Sequence, residues 1–337
     1  MLPMGSFPVR LRKGKVVVVM GATGTGKSRL AIDLAVHFGG EVVNSDKMQL
    51  YDGLDVVTNK VTDEETRGIP HHLLGGIPPD ADFTASDFRR AAGRAIGSIA
   101  QRGQLPVVAG GSNSYIEELI EGGGRECRSR YEWCFLWVDV RPKELHRFVG
   151  ERVDRMVQRG LVEEVRRVFD PEADYGRGIR KAIGVPEMDR YLRAEKEGAD
   201  EGTKASLLEL AIEEIKTNTR KLTCRQLQKI NRLRALPGWG VHRVDATEVF
   251  RRGGEEADRS WDELVSRPSI EIVGEFLSQE EKVEEREEGR EEVVYFVAGS
   301  CGKAGKSALT KETVVRTGAA AGAAAKLASN VAVGATV

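Results

Sequence analysis

Residues 21–28 read GATGTGKS, and no other stretch of the chain carries clearer chemistry. Spaced glycines let backbone N–H groups close around phosphate oxygens at a helix N-terminus. Lys27 adds a positive charge, and the Ser28 hydroxyl offers a ligand to Mg²⁺. This is the P-loop pattern, which by itself leaves open whose phosphates are held. Asp46 is the next candidate. A carboxylate beside a phosphate site repels phosphate and is better suited to a metal, or to an N–H group that must lose a proton. An Asp that caps the turn into Lys47, Met48 and Gln49 accounts for the same residue equally well.

Thr58 and Lys60 lie in a turn-rich stretch from which they can reach phosphate or base. His71 and His72 are adjacent, but without a nearby cysteine or third histidine they are expected to be hydrogen-bonded loop residues, not metal ligands. The GGSNS run at residues 110–114 is a second glycine turn able to bring backbone close to a ligand. Asp139 closes the apolar run CFLWVDV, yet Val140, Arg141 and Pro142 follow it with no second carboxylate to position water. A structural acid at a strand end is expected there. Residues 178–187, GIRKAIGVPE, combine two glycines, Arg180, Lys181 and a proline in what reads as a shaped loop. The densest basic patch comprises Lys216, Arg220, Lys221, Arg225, Lys229, Arg232 and Arg234. Lys216 and Arg220 share a helical face, which can close over a pyrophosphate from the side opposite the P-loop; solvated surface charge is the even alternative.

The elements that must position these groups follow from periodicity. Apolar runs at residues 15–20, 41–45, 105–109 and 134–140 read as strands, with a short one at 239–244. Helical spacing follows the P-loop through Leu30, Leu34 and Phe38, and again through Phe88, Ala92, Ala95 and Ile99 behind a capping-box variant at Thr84 and Asp87. Residues 142–169 carry a helical period broken at Gly160, 206–234 read as one long helix, and 261–276 as a closing helix. Strands separated by helices predict an α/β fold: a P-loop NTPase-like, mostly parallel sheet flanked by helices, with a smaller helical part covering the substrate. The expected divisions are a basic, disordered leader at 1–14, a P-loop core at 15–141, a helical part at 142–235, and a return to the core at 236–279. An acidic linker and low-complexity tail occupy 280–337. Within that tail, the imitation of a second P-loop has Ser300 where the first glycine belongs.

At 337 residues the chain can bury a substantial core, and a formal net charge of −1 exerts no global pull toward nucleic acid or an anionic membrane. Cys127, Cys134, Cys224 and Cys301 form no CxxC pair, so reduced buried thiols are expected. No apolar run approaches the length of a membrane span.

Taken together, GATGTGKS, NSDKMQLYDGLDVVTNK, IPHHLL, DFRRAAGRAI, LPVVAGGSNSYIE, RVDRMVQRGLVEEV, RKAIGVPE and IKTNTRKLTCRQ resemble the isopentenyltransferases that prenylate adenine. The resemblance covers residues 15 to about 277, and within the family it is strongest to the plant adenylate isopentenyltransferases of cytokinin biosynthesis. It implies that the P-loop cradles the pyrophosphate of dimethylallyl diphosphate without phosphoryl transfer, the acceptor being N6 of AMP, ADP or ATP. It implies Asp46 as the base, with Lys27 and Arg220 also catalytic. Thr25, Lys27, Ser28 and Mg²⁺ hold one side of the pyrophosphate, while Ser112 and Arg220 or Arg225 approach from elsewhere. By the same resemblance Gly21, Ala22, Thr23, Gly24 and Gly26, then Ser45, Thr58 and Lys60, then Gly111, Lys181 and Lys216 are substrate or phosphate contacts.

The related tRNA dimethylallyltransferases share the catalytic reading and make tRNA the alternative acceptor. Against tRNA stand the near-neutral charge, the lack of a C-terminal Cys and His finger, and the absence of a helical insertion between Phe169 and the Gly178 loop. A P-loop kinase or NTPase is the second alternative, and CFLWVDV supplies only one of the acids it needs. A monomer is expected, and the basic leader leaves plastid and cytoplasm both open.

Overall fold

The structure is a computed structural model that describes residues 13–288, with side chains described to 279. In chain order its first half comprises β1 (Gly14–Met20), α1 (Lys27–Phe38), β2 (Gly40–Asn44), α2 (Asp63–Thr66), β3 (His71–His72), α3 (Ala85–Gln101), β4 (Leu105–Ala109), α4 (Asn113–Glu121), α5 (Glu126–Arg130) and β5 (Tyr131–Asp139). Then come α6 (Pro142–Gln158), α7 (Leu161–Val168), α8 (Asp189–Lys196), α9 (Glu201–Leu233), β6 (Val241–Asp245), α10 (Gly254–Trp261) and α11 (Arg267–Glu288). Residues up to Phe276 form one compact unit, and the chain from Leu277 belongs to a second.

The strands form one sheet in the order β3-β2-β4-β1-β5-β6, every pairing parallel. Continuous apolar runs such as VVVV in β1 suit this arrangement, because strands covered by helices on both faces have no wet side to alternate toward. The strands expected from the sequence are all present, but β3 falls on the histidines read as loop. Its two residues pair with Val42 and Val43, a stretch too short to show any period. Gly160, at φ +98°, separates α6 from α7 as its break in the apolar spacing indicates. The closing segment departs from the single helix expected: α10 ends at Trp261, a π-helical turn at Asp262–Ser266 follows, and α11 continues. The leader up to residue 12, and the chain from residue 289 with its imitation P-loop and Cys301, lie outside the described residues.

Two buried clusters flank the region where the strands end. One packs the sheet residues Val16, Val18 and Phe135 against α3, α4 and the C-terminal turns of α9. The other joins α6, α7, α8 and the N-terminal half of α9 through Val153, Leu161, Leu192 and Ile215. Helix α9, 33 residues and so about 50 Å long, contributes to both. Its middle turns therefore pass over the carboxyl ends of the strands.

Candidate active site

Strand order brings the candidate groups together. β4 lies between β2 and β1, so its following turn at Gly110–Gly111 sits between Asp46, two residues past β2, and the P-loop, which follows β1. The Ser45 N–H donates to the Ala109 carbonyl at 2.8 Å and the Lys47 N–H to Ser112 Oγ at 2.8 Å, which ties the two turns into one wall. Asp46 Oδ1 accepts from the Met48 N–H at 3.1 Å, so the residue does cap its turn. Asp46 also lines the same cleft as the P-loop. Gly26 caps α1 at φ +90°, and a Cβ there would lie 2.6 Å from the Trp261 ring. Only glycine allows both this backbone and this packing.

The cleft has a volume of about 1270 Å³. That exceeds the ~300–1,000 Å³ of a pocket for one drug-sized ligand, so two ligands fit side by side. Lys27 is only 8% exposed, and Nζ donates to the Ala22 carbonyl at 2.7 Å. Burial pushes its pKa down to about 8; the Asp46 carboxylate opposes that fall and the Arg152 guanidinium adds to it. Burial likewise pushes Arg152 down to about 10 against the pull of the same Asp46. One acid and two cations thus feel one another inside the cleft, with a net positive charge suited to an anion. Lys47 is also lowered, first by burial and then by Lys181.

Of the predicted residues, Thr23, Gly24, Gly26, Lys27, Ser28, Asp46, Thr58, Gly111, Ser112, Lys181 and Arg225 line the cleft. Gly21, Ala22 and Thr25 form the loop behind it, where Thr25 Oγ1 and the Lys27 ammonium both donate to the Ala22 carbonyl. Ser45 is buried beneath the wall. Three expected contacts point elsewhere. Lys60 Nζ holds its own loop together, donating to the carbonyls of Tyr51 and Gly53 and pairing with Asp55 at 2.6 Å. Lys216 pairs with Asp154 and Glu213, both at 2.8 Å. Arg220 lies in a separate shallow depression with His146, Lys221 and Cys224, close to Gly150 of α6. The face that α9 turns to the cleft carries Thr219, Leu222, Arg225, Gln226 and Lys229 instead. The charge count was right, but its helical phase differs: Lys216 and Arg220 fall one residue past the buried Ile215 and Thr219.

The remaining expectations fall out simply. Asp139 pairs with Arg243 of β6 at 2.7 Å, a structural role. His71 Nδ1 lies 2.8 Å from the Ile69 carbonyl, and His72 Nε2 lies 2.6 Å from Glu41 Oε2, itself held by Arg102. Among the described residues no cysteine is disulfide-bonded; Cys134 is buried and Cys127 partly so, but Cys224 is exposed.

Arg152 is a charged residue of the cleft that the sequence reading passed over. Its Nη2 donates to Thr23 Oγ1 at 3.0 Å, and its Nε is buried without a partner. A signal was present: Arg152 falls within the apolar stripe Leu145, Val149, Val153, Met156, where a charge needs a reason. For a metal, the donor set is sparse. Among the described residues no group of three or more His, Cys, Asp or Glu could hold an ion. The exposed Ser28 hydroxyl fits Mg²⁺ that takes its other oxygens from phosphate and water, as Mg²⁺ at phosphates commonly does.

A parallel α/β sheet with a P-loop, an acid and buried cations at the strand ends defines a P-loop protein acting on a phosphorylated ligand. A family model described as IPP transferase matches residues 49–129 and 123–232. The chain is 60% identical over 280 residues to adenylate isopentenyltransferase 5, chloroplastic, of Arabidopsis thaliana, covering 82% of this chain and 84% of the relative. It is 53% identical over 268 residues to adenylate isopentenyltransferase 3, chloroplastic, of the same plant, covering 79% and 80%. The chain belongs to this family, the adenylate isopentenyltransferases among the IPP transferases, and is a prenyltransferase. A solved eukaryotic dimethylallyltransferase acting on tRNA aligns with a TM-score of 0.64 at 24% identity, covering 90% of this chain and 92% of that one, a likeness of fold. Among the described residues no helix is long and apolar enough to cross a membrane.

Proposed function

We propose that the protein transfers the dimethylallyl group of dimethylallyl diphosphate to N6 of the adenine of AMP, ADP or ATP, the first step of cytokinin biosynthesis. The observation that carries this reading is that Asp46, Lys27 and Arg152 share one cleft, with the Asp46 carboxylate close enough to act on both cations. Adenine N6 is a weak nucleophile because its lone pair is delocalised into the ring. As the N6–C1 bond forms and the C1–O bond to diphosphate breaks, the N6 proton passes to the Asp46 carboxylate. Charge develops on the departing pyrophosphate, where Lys27 and Arg152 stand ready. The Ser28 hydroxyl would hold a Mg²⁺ ion, which would supply further positive charge to that leaving group. Lys181 and Arg225, which also line the cleft, are the contacts proposed for the acceptor's phosphate.

The kinase or NTPase reading lacks support, since Asp139, the strand-end acid it would use, is engaged by Arg243. Free nucleotide is favoured over tRNA by the 60% identity to an adenylate isopentenyltransferase against 32% to tRNA dimethylallyltransferase 2 of Arabidopsis thaliana. The relatives' names, chloroplastic for two and mitochondrial for a third, favour an organelle. The test is a panel of acceptors with dimethylallyl diphosphate. Prenylated AMP, ADP or ATP is expected, with unmodified tRNA at least tenfold poorer in kcat/KM; efficient tRNA modification, or phosphate release from ATP without donor, refutes the reading.

A further inference from the structure

We propose that Gln226 is a positioning residue that sets the distance between the donor's phosphate loop and the wall carrying the base. The inference rests on the reaction above. Gln226 is 8% exposed in the C-terminal part of α9, on the stripe Thr219, Thr223, Gln226, Ile230, Leu233 whose other members are buried packing residues. Its amide is used at both ends. The Thr23 N–H of the P-loop donates to Oε1 at 2.7 Å, and Nε2 donates to the Gly111 carbonyl at 2.9 Å. A Cβ at position 111 would lie 2.5 Å from Nε2 and 3.3 Å from Asp46 Oδ2, so the glycine exists to let amide, turn and carboxylate meet.

The consequences run in both directions from this amide. On one side, Thr23 is fixed twice, by Gln226 at its backbone and by Arg152 at its hydroxyl. On the other, the Gly111 turn leads to Ser112, whose N–H donates to the Ser45 carbonyl at 3.3 Å and whose Oγ accepts from the Lys47 N–H. Those two residues bracket Asp46. One planar group of fixed length therefore spans the loop that holds the leaving diphosphate and the turn that holds the base. Neither substrate needs the bridge in order to bind. Their alignment does, and a displacement of about 1 Å in a reacting geometry costs roughly 10²-fold in rate.

The experiment compares wild type with Gln226→Leu, which keeps the volume but neither hydrogen bond, and Gln226→Glu, which is nearly isosteric. For Gln226→Leu, kcat for prenyl transfer is expected to fall roughly 100-fold, while KM for donor and acceptor and the affinity for a non-reactive thio analogue of the donor stay within about threefold. Backbone amides of residues 21–28 should exchange faster with solvent in the substrate-free variant. Gln226→Glu ionised accepts from Thr23 but has no hydrogen for Gly111; protonated, it serves both, so its kcat relative to wild type should rise as pH falls. A folded Gln226→Leu with kcat near wild type overturns the proposal. So does a loss confined to KM, or a Gln226→Glu ratio that is flat with pH, a reading that stands even where the leucine variant does not fold. Loop amide exchange reads the bridge without turnover, so a wild-type protein that fails to prenylate adenine refutes the reaction and not the bridge.

Discussion

Lys27→Met separates what the P-loop lysine does for ligands from what it costs the fold. Lys27 is nearly inaccessible, and burial lowers its pKa from 10.5 to about 8. Below pH 8 the ammonium is charged in both folded and unfolded chains, and the cost of burying it is constant. Between about pH 8 and 10.5 the folded chain releases the proton while the unfolded chain keeps it, so wild-type stability rises with pH across that window. The interval of about 2.5 pH units, at about 1.4 kcal/mol each, amounts to about 3 kcal/mol. Methionine has no proton to release. Urea unfolding of wild type and Lys27→Met at pH 7.5 and pH 10 should therefore show the wild type gaining about 2 kcal/mol on the variant between the two pH values. A bound anion reverses the shift. Calorimetry with inorganic pyrophosphate at pH 9 in two buffers of different ionisation enthalpy should show uptake of about one proton by wild type and none through this group in the variant. Parallel stability curves and no proton uptake refute the assignment of Lys27 as a buried cation awaiting an anion.

Arg152→Met should lower kcat roughly 10²- to 10³-fold in single-turnover transfer, the loss typical of one charge-stabilising donor, with the fold intact by circular dichroism. Gly26→Ala should drive a methyl into the Trp261 ring at a backbone angle that alanine resists, and thio-analogue titration should show donor binding weakened at least tenfold. Arg225→Ala should raise acceptor KM, while Arg220→Ala, off the cleft, should leave kcat/KM within about threefold; the reverse order would restore the sequence-based choice of Arg220.

The sheet was legible because each central strand is a continuous apolar run ending in a turn signal, a pattern with few alternatives. The P-loop and Asp46 were legible for the same reason, since both follow such runs directly. β3 was not, as two residues carry no period. The basic helix was read from the density of its charges, whereas its function depends on phase. Lys216, one step beyond the buried stripe, pairs with Asp154 and Glu213, and Arg220 lines a separate depression, while the buried Gln226 and Arg225, which borders that depression too, line the cleft. Arg152 was lost among the charges of α6 although it interrupts that helix's apolar face. Both misses share a cause: polar residues within an apolar stripe are few, so a reading by composition overlooks them.

The central claim is that Asp46 removes the N6 proton while the P-loop holds the donor. Asp46→Asn keeps the side chain's size and its acceptor to the Met48 N–H but cannot take a proton. Single-turnover prenylation of AMP, ADP or ATP by this variant should fall roughly 10²- to 10⁴-fold, with affinity for the thio analogue of dimethylallyl diphosphate little changed. Turnover near that of wild type contradicts the account.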